Sequence, residues 1–535
     1  MRIGLLTEGG YPYAVGEGWR WCDRLVRGLT QHEFEVYALS RSADQEQQHR
    51  LALPPQVRAV RTAPLWAPED DGRSHRRSTR KRFVGHYRAL AVGLCTDSAD
   101  RFADGLYGLA QLAREEGGLY AALRSEVAVR ALESACHAPG ALPGVHAAQV
   151  PDLLVFADLL ERALRPLSLD WYDSLGEVDI CHAASGGVAA LPGLLAKRFF
   201  GVPLLVTEYG VQLRAHHLGS AEHPDALSAP VRALLAGFHG RLAAEIYRQA
   251  DLLTPGNGHA RRWQERGGAP RAKLRTVHPG VEADRFATVG EAADQGDPHT
   301  LVWVGRVEPA KDLIGLLHAF AEVRRQHPEA RLRIFAAPTH GPQSPTYLSH
   351  CRALAAQLFP DEAVDATAVG ENPVTFEEIG GPDAPEAADA YASGRVVVLS
   401  SVVEGFPVSL VEAMFCARAT VSTDVGAVCE VIGGTGLVVP PRNPRAFAHT
   451  CLALLHDPAR AQRLGAAARA RALELFSVEQ NLAAFRGMYL ELISHSPVRR
   501  DTLDETPFAH PPEASVPGRW TAGAPDWAPN PEATV

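Results

Sequence analysis

The sequence predicts an α/β fold with two Rossmann-like halves, each built around a parallel sheet. Short apolar runs alternate with segments of helical spacing in both halves, which is the pattern of strand–helix–strand units. A polar stretch at residues 287–298 is predicted to be the linker between the halves. The length of 535 residues leaves room for such an arrangement, since domains average about 150 residues.

The first half opens with a strand, a loop, a helix and a second strand. The strand is predicted at Ile3–Thr7, and a glycine-rich loop from Glu8 to Gly18 follows it. A helix over Trp19–Leu29 carries apolar side chains on one face, with Trp21 expected in the core. The next strand is predicted at Phe34–Leu39, as expected for a parallel α/β domain.

A long helical stretch interrupts this half. Residues from about 86 to 165 are rich in Ala and Leu and are predicted to form an inserted helical subdomain. Before it lies a basic run from Arg73 to Arg82, interpreted either as a solvated loop or as a patch for an anionic surface or acceptor. Strands resume at Val178–His182 and Pro203–Thr207.

The second half repeats the α/β pattern. Its strands are predicted at Leu301–Val304, Leu332–Ala336, Val396–Leu399 and Thr420–Ser422. The domains are therefore expected at 1–286 and 299–480, with a closing helix at 481–496. A Pro-rich tail at 497–535 is predicted to be disordered.

Composition limits the function classes. The formal net charge of −9 argues against a general nucleic-acid binder, which usually has a basic domain. Eight scattered cysteines without a C-x-x-C pair favour a reducing compartment and offer no zinc spacing. The first residues are predicted to form a strand rather than a signal peptide, and no apolar run reaches 18 residues. We expect a soluble, cytoplasmic protein.

The segment around Glu404 is the most informative in the chain. It follows the strand Val396–Leu399, and Pro407 suits the first position of a helix. Free amides at residues 408–410 would then offer an anion site at the carboxyl end of the strand. Glu404 and Glu412 flank this site, and sugar hydroxyls are the natural partners of carboxylates beside a phosphate. The segment therefore favours a sugar diphosphate as ligand.

A second cationic segment follows the strand Leu301–Val304. Arg306 and Lys311 can converge on one anion, with a planar fork and a point charge. Only four lysines occur in the chain, which makes a lysine here more notable. The alternative is a surface pair between Lys311 and Asp312 at a helix start.

These segments resemble a known family. Glu404 to Glu412 is similar to the E-x7-E motif of the retaining glycosyltransferase family four, whose fold is GT-B: two Rossmann-like domains facing each other across a cleft. Gly305 to Asp312 resembles that family's G-R-x-x-x-x-K-D segment. Thr7 to Tyr13, His182 to Ser185 and Thr207 to Gly210 resemble the Pel-type exopolysaccharide branch.

The resemblance implies roles at the matching positions. Arg306 and Lys311 would hold the donor diphosphate, and Glu404 the donor sugar, so these three are the predicted catalytic residues. Glu412 would bind the ribose. The other predicted donor-binding residues are Gly405, Phe406, Pro407, Val408, Ser409 and Leu410, with Gly16 and Gly18 from the other domain. The predicted acceptor side is His182, Glu208 and Tyr209. No cofactor and no metal are expected.

The predicted function is retaining transfer of a hexose from a nucleotide sugar, UDP-glucose first, to a saccharide or other hydroxyl acceptor. Exopolysaccharide synthesis and peripheral association with a membrane polysaccharide synthase are further expectations. The alternative is a catalytically weak nucleotide-sugar-binding subunit, favoured by Glu17 and Tyr209, which depart from the family pattern. A dinucleotide-dependent oxidoreductase is disfavoured, because no G-x-G-x-x-G follows the first strand.

Overall fold

The structure is a computed structural model. It describes residues 1–13, 18–40, 42–47, 51–65, 71–96, 98–214, 227–338, 344–360 and 372–496. The predicted disordered tail at 497–535 lies outside these residues, as does Gly16 of the glycine-rich loop.

The first half contains a six-stranded parallel sheet in the order β3-β2-β1-β4-β5-β6. Its strands β1–β6 are Arg2–Glu8, Glu33–Ser40, Val57–Pro64, Ile180–Ala183, Leu204–Glu208 and Leu252–Pro255. The inner strands are buried along almost their whole length because helices cover both faces of the sheet. The strands predicted in this half are confirmed to within two residues at each end.

The second half contains another six-stranded parallel sheet, in the order β12-β11-β10-β7-β8-β9. Its strands β7–β12 are Asp297–Gly305, Arg331–Ala336, Val374–Glu378, Gly394–Leu399, Ala419–Thr423 and Leu437–Val439. The predicted linker at 287–298 is corrected in part, because it contains a short helix and the first residues of β7.

The helices of the first half cover its sheet and build the insertion. Helices α1–α12 are Gly18–Gly28, Ala43–Gln47, Arg77–Cys95, Ala99–Glu116, Leu119–Leu123, Glu126–Cys136, Pro143–His146, Val150–Leu164, Tyr172–Glu177, Leu191–Phe200, Ala229–Gln249 and Gly258–Arg266.

The inserted helical stretch starts earlier than expected. Helix α3 begins at Arg77, so most of the basic run lies on a helix and not in a solvated loop. Its apolar face, with Phe83 and Tyr87 buried, decides the conformation despite the cations in its first turn. Helices α3 and α4 cross so closely that a Cβ on Gly105 would collide with the backbone of Leu90.

The helices of the second half surround its sheet and close the fold. Helices α13–α21 are Ala287–Glu291, Leu313–Gln326, Ser344–Leu358, Ala387–Ala392, Val408–Phe415, Val428–Ile432, Pro444–Leu455, Pro458–Leu475 and Val478–His495.

The closing helix α21 belongs to the core of the first half. Phe485 packs against Trp21, with 5.6 Å between ring centroids, and against His182 at 5.3 Å. Residues Met1–Leu492 form one compact unit that includes both sheets. Among the described residues, no helix is long and apolar enough to cross a membrane.

Candidate active site

The two loops predicted to carry the chemistry meet at one edge of the second sheet. Strands β7 and β10 are parallel neighbours, so the loops that follow them leave the sheet side by side. The Val402 amide donates to the Ala310 carbonyl at 2.8 Å, and the Ser400 hydroxyl donates to the Lys311 carbonyl at 2.7 Å. The backbone itself therefore brings the lysine loop to the glutamate loop.

An ion pair joins the two loops through their side chains. Lys311 Nζ lies 2.6 Å from Glu404 Oε2, and the two side chains are 14% and 12% exposed. The Ser401 hydroxyl donates to the same carboxylate oxygen at 3.0 Å. An incoming anion that binds Lys311 therefore has to replace or share the Glu404 carboxylate.

Asp312 does not pair with Lys311, as the alternative interpretation required. Pro309–Lys311 form a short 3-10 turn, and the α-helix starts at Leu313. Asp312 is the N-cap of that helix and accepts from the Gly315 amide at 3.1 Å. Lys311 is thus free of a capping role and is directed to Glu404.

Arg306 lies at the more open end of the same loop. Its side chain is 48% exposed, and Nε lies 3.4 Å from Glu308 Oε1. The loop therefore presents one shielded cation, Lys311, and one cation accessible to solvent. Such a pair can bind both ends of a diphosphate.

The start of α17 differs from the expected anion site. Pro407 is the N-cap, and the helix begins at Val408 rather than at the proline. The Val408 amide donates to the Phe406 carbonyl at 3.0 Å, and the Leu410 amide donates to Pro407 at 3.1 Å. The expectation of free amides at Val408 and Leu410 is therefore wrong, because both amides are hydrogen-bonded to carbonyls of the preceding tight turn.

Glu412 lies one turn inside α17 and is held by a tyrosine. The Tyr391 hydroxyl donates to Glu412 Oε2 at 2.8 Å. Burial raises the pKa of Glu412, while the Tyr391 hydrogen bond and the positive charges of Arg285 and Arg20 act in the opposite direction. Arg20 belongs to α1 of the first half, so a charge from that half acts on Glu412.

The loop that carries Glu404 is held by the last residue of β11 and by the loop that follows it. The Thr423 hydroxyl donates to the Ser401 carbonyl at 2.6 Å, and the Ala427 amide donates to Gly405 at 3.1 Å. Gly426 has a φ of 59°, and a Cβ there would collide with the Glu404 carbonyl. Phe406 packs against His278, with 6.0 Å between ring centroids.

Glu430 connects the second half to the first across the cleft. Its Oε2 accepts from the Gly258 amide at 2.5 Å, at the start of α12. Its Oε1 lies 3.7 Å from His278 Nε2. A carboxylate is favoured at this helix end by the partial positive charge of the free amides.

The predicted acceptor residues are engaged inside the first half. His182 is fully buried, with Nδ1 2.6 Å from the Tyr489 hydroxyl and Nε2 2.7 Å from Thr207 Oγ1. Burial lowers its pKa to about 3, so the ring is neutral. Both ring nitrogens already have protein partners, so an acceptor contact would need one of these hydrogen bonds to break; the acceptor role of His182 stays a prediction.

Glu208 and Tyr209 are tied down as well. The Glu208 carboxylate is buried and accepts from the Tyr247 hydroxyl at 2.6 Å and from Gln264 at 2.8 Å. The Tyr209 hydroxyl accepts from Asn481 at 2.8 Å. An acceptor contact by Glu208 would likewise need one of these hydrogen bonds to break, whereas Tyr209 is half-buried; both stay acceptor-side predictions.

Of the glycine-rich loop, residues 8–13 and its last residue, Gly18, are described. Gly18 opens α1 and is exposed, with open space where a Cβ would stand. Gly16 and Glu17 lie outside the described residues. The predicted contact of this loop with a diphosphate stays a prediction.

The sequence analysis did not identify the side chains that contact the predicted site residues. Arg20 and Arg24 lie four residues apart on α1, and the charge of Arg20 acts on Glu412 of the second half; their spacing on one helix face was the available signal. Ser401 and Tyr391 hold Glu404 and Glu412, and only the folded chain brings Tyr391 to Glu412.

Within the part of the chain that the structure describes, no group of metal ligands lies in this site. Of the acidic run at 69–71, only Asp71 is described, and it accepts from the Gly118 amide at 2.7 Å. The expectation that no metal takes part stays a prediction.

Known protein families match both halves of the chain. The family "Glycosyl transferases group 1" matches residues 298–457, and the "Domain of unknown function (DUF3492)" matches residues 1–272, more than half of the chain. The D-inositol 3-phosphate glycosyltransferase of Frankia alni is 31% identical over 56% of this chain and 70% of its own length. That of Kineococcus radiotolerans is 33% identical over 38% of this chain, which spans only 49% of that relative.

Solved structures share the fold. HepE from Anabaena, in complex with UDP, matches 92% of this chain and all of its own with a TM-score of 0.55 and 14% identity. Sucrose-phosphate synthase from Thermosynechococcus elongatus matches 92% of this chain and all of its own with a TM-score of 0.53 and 17% identity. The predicted GT-B fold, two Rossmann-like domains with parallel sheets, is thereby confirmed. The chain belongs to the group 1 glycosyltransferases of the GT-B fold, with a DUF3492 domain as its N-terminal half.

Proposed function

We propose that this chain transfers a hexose from a nucleotide sugar to a hydroxyl group, with retention at the anomeric carbon. The observation that carries the proposal is the convergence of Lys311 and Glu404, 2.6 Å apart, on the cleft-facing edge of the second sheet. A cation and a hydroxyl-binding carboxylate at one point suit a phosphate joined to a sugar.

The reaction is limited by the charge that grows on the departing diphosphate. Lys311 and Arg306 stabilise that charge. When the donor diphosphate binds Lys311, the Lys311–Glu404 ion pair breaks, and the Glu404 carboxylate orients the sugar by accepting from the sugar hydroxyls. The phosphate oxygen that leaves the sugar accepts the proton of the incoming hydroxyl on the same face. The protein contributes positioning and electrostatic stabilisation.

A uridine diphosphate sugar is the proposed donor, with UDP-glucose first. Support comes from HepE, which has the same fold and has been solved with UDP and with UDP-glucose. Glu412 would bind the ribose hydroxyls, since it lies one turn inside α17, the helix that begins four residues after Glu404.

The proposed acceptor is a saccharide or another hydroxyl compound in exopolysaccharide synthesis. This rests on the resemblance of the N-terminal segments to the Pel-type branch, and a membrane polysaccharide synthase is the proposed partner. The relatives' printed name, D-inositol 3-phosphate glycosyltransferase, makes an inositol phosphate the acceptor to test against it.

The test is turnover of UDP-, GDP- and ADP-sugars by the purified full chain, with release of the nucleoside diphosphate as readout. Acceptor-dependent release with one donor is the expected result. Product anomers, resolved by NMR, should keep the configuration of the donor. An inverted product would contradict the retaining mechanism.

A nucleotide-sugar-binding subunit with little catalysis is a second candidate. It is favoured by the internal hydrogen bonds of Glu208 and His182, two of the three predicted acceptor residues. Tight donor binding without transfer or hydrolysis, in the same assay, would support it over the enzyme.

A further inference from the structure

Three histidines meet at the edge of the second sheet that is opposite the candidate active site. His299 Nδ1 lies 2.8 Å from His327 Nε2, and their rings stack with 5.0 Å between centroids. The His456 ring lies 5.4 Å from that of His327. Glu329 adds a carboxylate, with Oε2 3.5 Å from His299 Nε2.

These residues come from separate elements that the topology brings together. His299 is the third residue of β7, while His327 and His456 follow α14 and α19. Thr300 pairs with Arg331 at the start of β8, which places Glu329 beside His299. Gly305 lies six residues further along β7 than His299. The histidines therefore lie about 20 Å from the start of the loop that carries Lys311.

The donor atoms are close enough to share one ion. One ligand atom each from His299, His327 and Glu329 lies within 4.8 Å of the others. Two nitrogens bound to one tetrahedral Zn²⁺ at about 2.05 Å stand about 3.3 Å apart, so the imidazoles must separate by about half an ångström. The His299 side chain is 38% exposed and that of Glu329 is 76% exposed, so both have room to move.

The electrostatic surroundings favour a cation at this point. The His327 and His456 amides each close the last turn of a helix, so the carboxyl ends of α14 and α19 both point here. Helix carboxyl ends carry partial negative charge and attract cations. Asp297 lies beside His299, whose amide donates to it at 3.0 Å, while Arg331 is the opposing positive charge.

The types of ligand favour zinc, because imidazole together with carboxylate suits zinc and similar transition metals.

We propose that His299, His327 and Glu329 form a Zn²⁺ site on the second domain, remote from the candidate active site. Three protein ligands leave the fourth position to water. The site would fasten the start of β7 to the connection between α14 and β8. Its role is structural, so it goes beyond glycosyl transfer and does not depend on the donor or the acceptor.

The test uses the untagged full-length protein, treated with a chelator and titrated with ZnCl₂ in a calorimeter. We expect about one Zn²⁺ per chain at pH 7.5 and weaker binding below the ordinary histidine pKa near 6.5, where protons compete. His299→Gln and His327→Gln should each weaken binding by at least about tenfold. His318→Gln, an exposed histidine on α14 outside the group, should bind like the wild type.

Cobalt supplies a readout that does not depend on stability. Co²⁺ bound by imidazole and carboxylate gives a visible d–d band, whereas binding at the exposed Cys429 would add a sulfur charge-transfer band. The d–d band should survive in Cys429→Ser and vanish in His327→Gln. Absence of Zn²⁺ binding, or binding that the His299 and His327 variants leave unchanged, would overturn the proposal.

Discussion

At the residue scale, the candidate site depends on how Lys311 and Glu404 share their charges. The pair is largely shielded, and a second donor, Ser401, already occupies the same carboxylate oxygen. Loss of the lysine would leave Glu404 with a hydroxyl partner at the rim of the cleft, where water can reach it. The lysine therefore matters more for the reaction than for folding.

Lys311→Ala should reduce kcat by about a hundredfold, which corresponds to about 3 kcal/mol of lost transition-state stabilisation. Denaturant unfolding should show a smaller loss of stability. Lys197→Ala is the matched control, because Lys197 also forms an ion pair of 2.6 Å, with Asp251, but outside the cleft. Equal kcat values for Lys311→Ala and the wild type would refute the assignment.

His182 should make the fold sensitive to acid. Its pKa is about 3 in the folded chain and about 6.5 when unfolded, so the unfolded state binds more protons between these values. Stability is therefore lost as the pH falls through this window, by about 1.4 kcal/mol between pH 7.5 and 5.5 from this residue.

The measurement is urea unfolding at both pH values for the wild type and for His182→Gln. The variant should lose less stability on acidification than the wild type, while His318→Gln should follow the wild type. The same pH dependence in all three proteins would exclude His182 as the source.

At the residue scale, sequence reasoning found the charged groups but not their partners. Arg306, Lys311 and Glu404 lie in loops that follow strands, and Glu412 lies in the next helix; the apolar runs locate these strands. Their partners were not predictable from the sequence. The contact of Tyr391 with Glu412, for example, depends on how α16 packs against α17 in the folded chain.

At the element scale, the strands were the most predictable part. Parallel strands covered on both faces are continuous apolar runs, and the predicted strands of the second sheet lie within those observed. The start of α3 was missed because cations in its first turn are typical of a loop, and tertiary burial of its apolar face overrides them.

The crossing of α3 and α4 depends on a glycine. Gly105→Ala should destabilise the protein by about 1–3 kcal/mol, because the new Cβ meets the backbone of α3, which cannot move aside. Gly85→Ala on α3 faces open space and should be neutral or stabilising by about 0.5–1 kcal/mol. Denaturation midpoints of the two variants compare these effects, and a tolerated Gly105→Ala would contradict the close crossing.

At the scale of the whole molecule, the closing helix ties the two sheets into one unit. Phe485 follows the second domain in the chain but is buried against Trp21 and His182 of the first. The sequence could not show that α21 packs against the first half, because the spacing of its apolar residues predicts a buried helix face but not which domain covers that face.

Phe485→Ala should cost about 3–5 kcal/mol. Hydrogen exchange should accelerate in α1 and β4, which carry Trp21 and His182, the ring partners of Phe485. Phe447→Ala removes another buried phenylalanine, from the second domain, and should accelerate exchange there first. If Phe485→Ala left α1 and β4 protected, α21 would not be part of that core.

The central claim is that the cleft binds a nucleoside diphosphate sugar through Lys311 and its neighbours. The most direct measurement is the melting temperature of the wild type, Lys311→Ala and Lys197→Ala with UDP-, GDP- and ADP-sugars, since a ligand that binds only the folded state raises it. At least one donor should raise the melting temperature of the wild type and of Lys197→Ala, and should do so far less for Lys311→Ala. A shift of equal size in all three proteins, or no shift with any donor, would contradict the account.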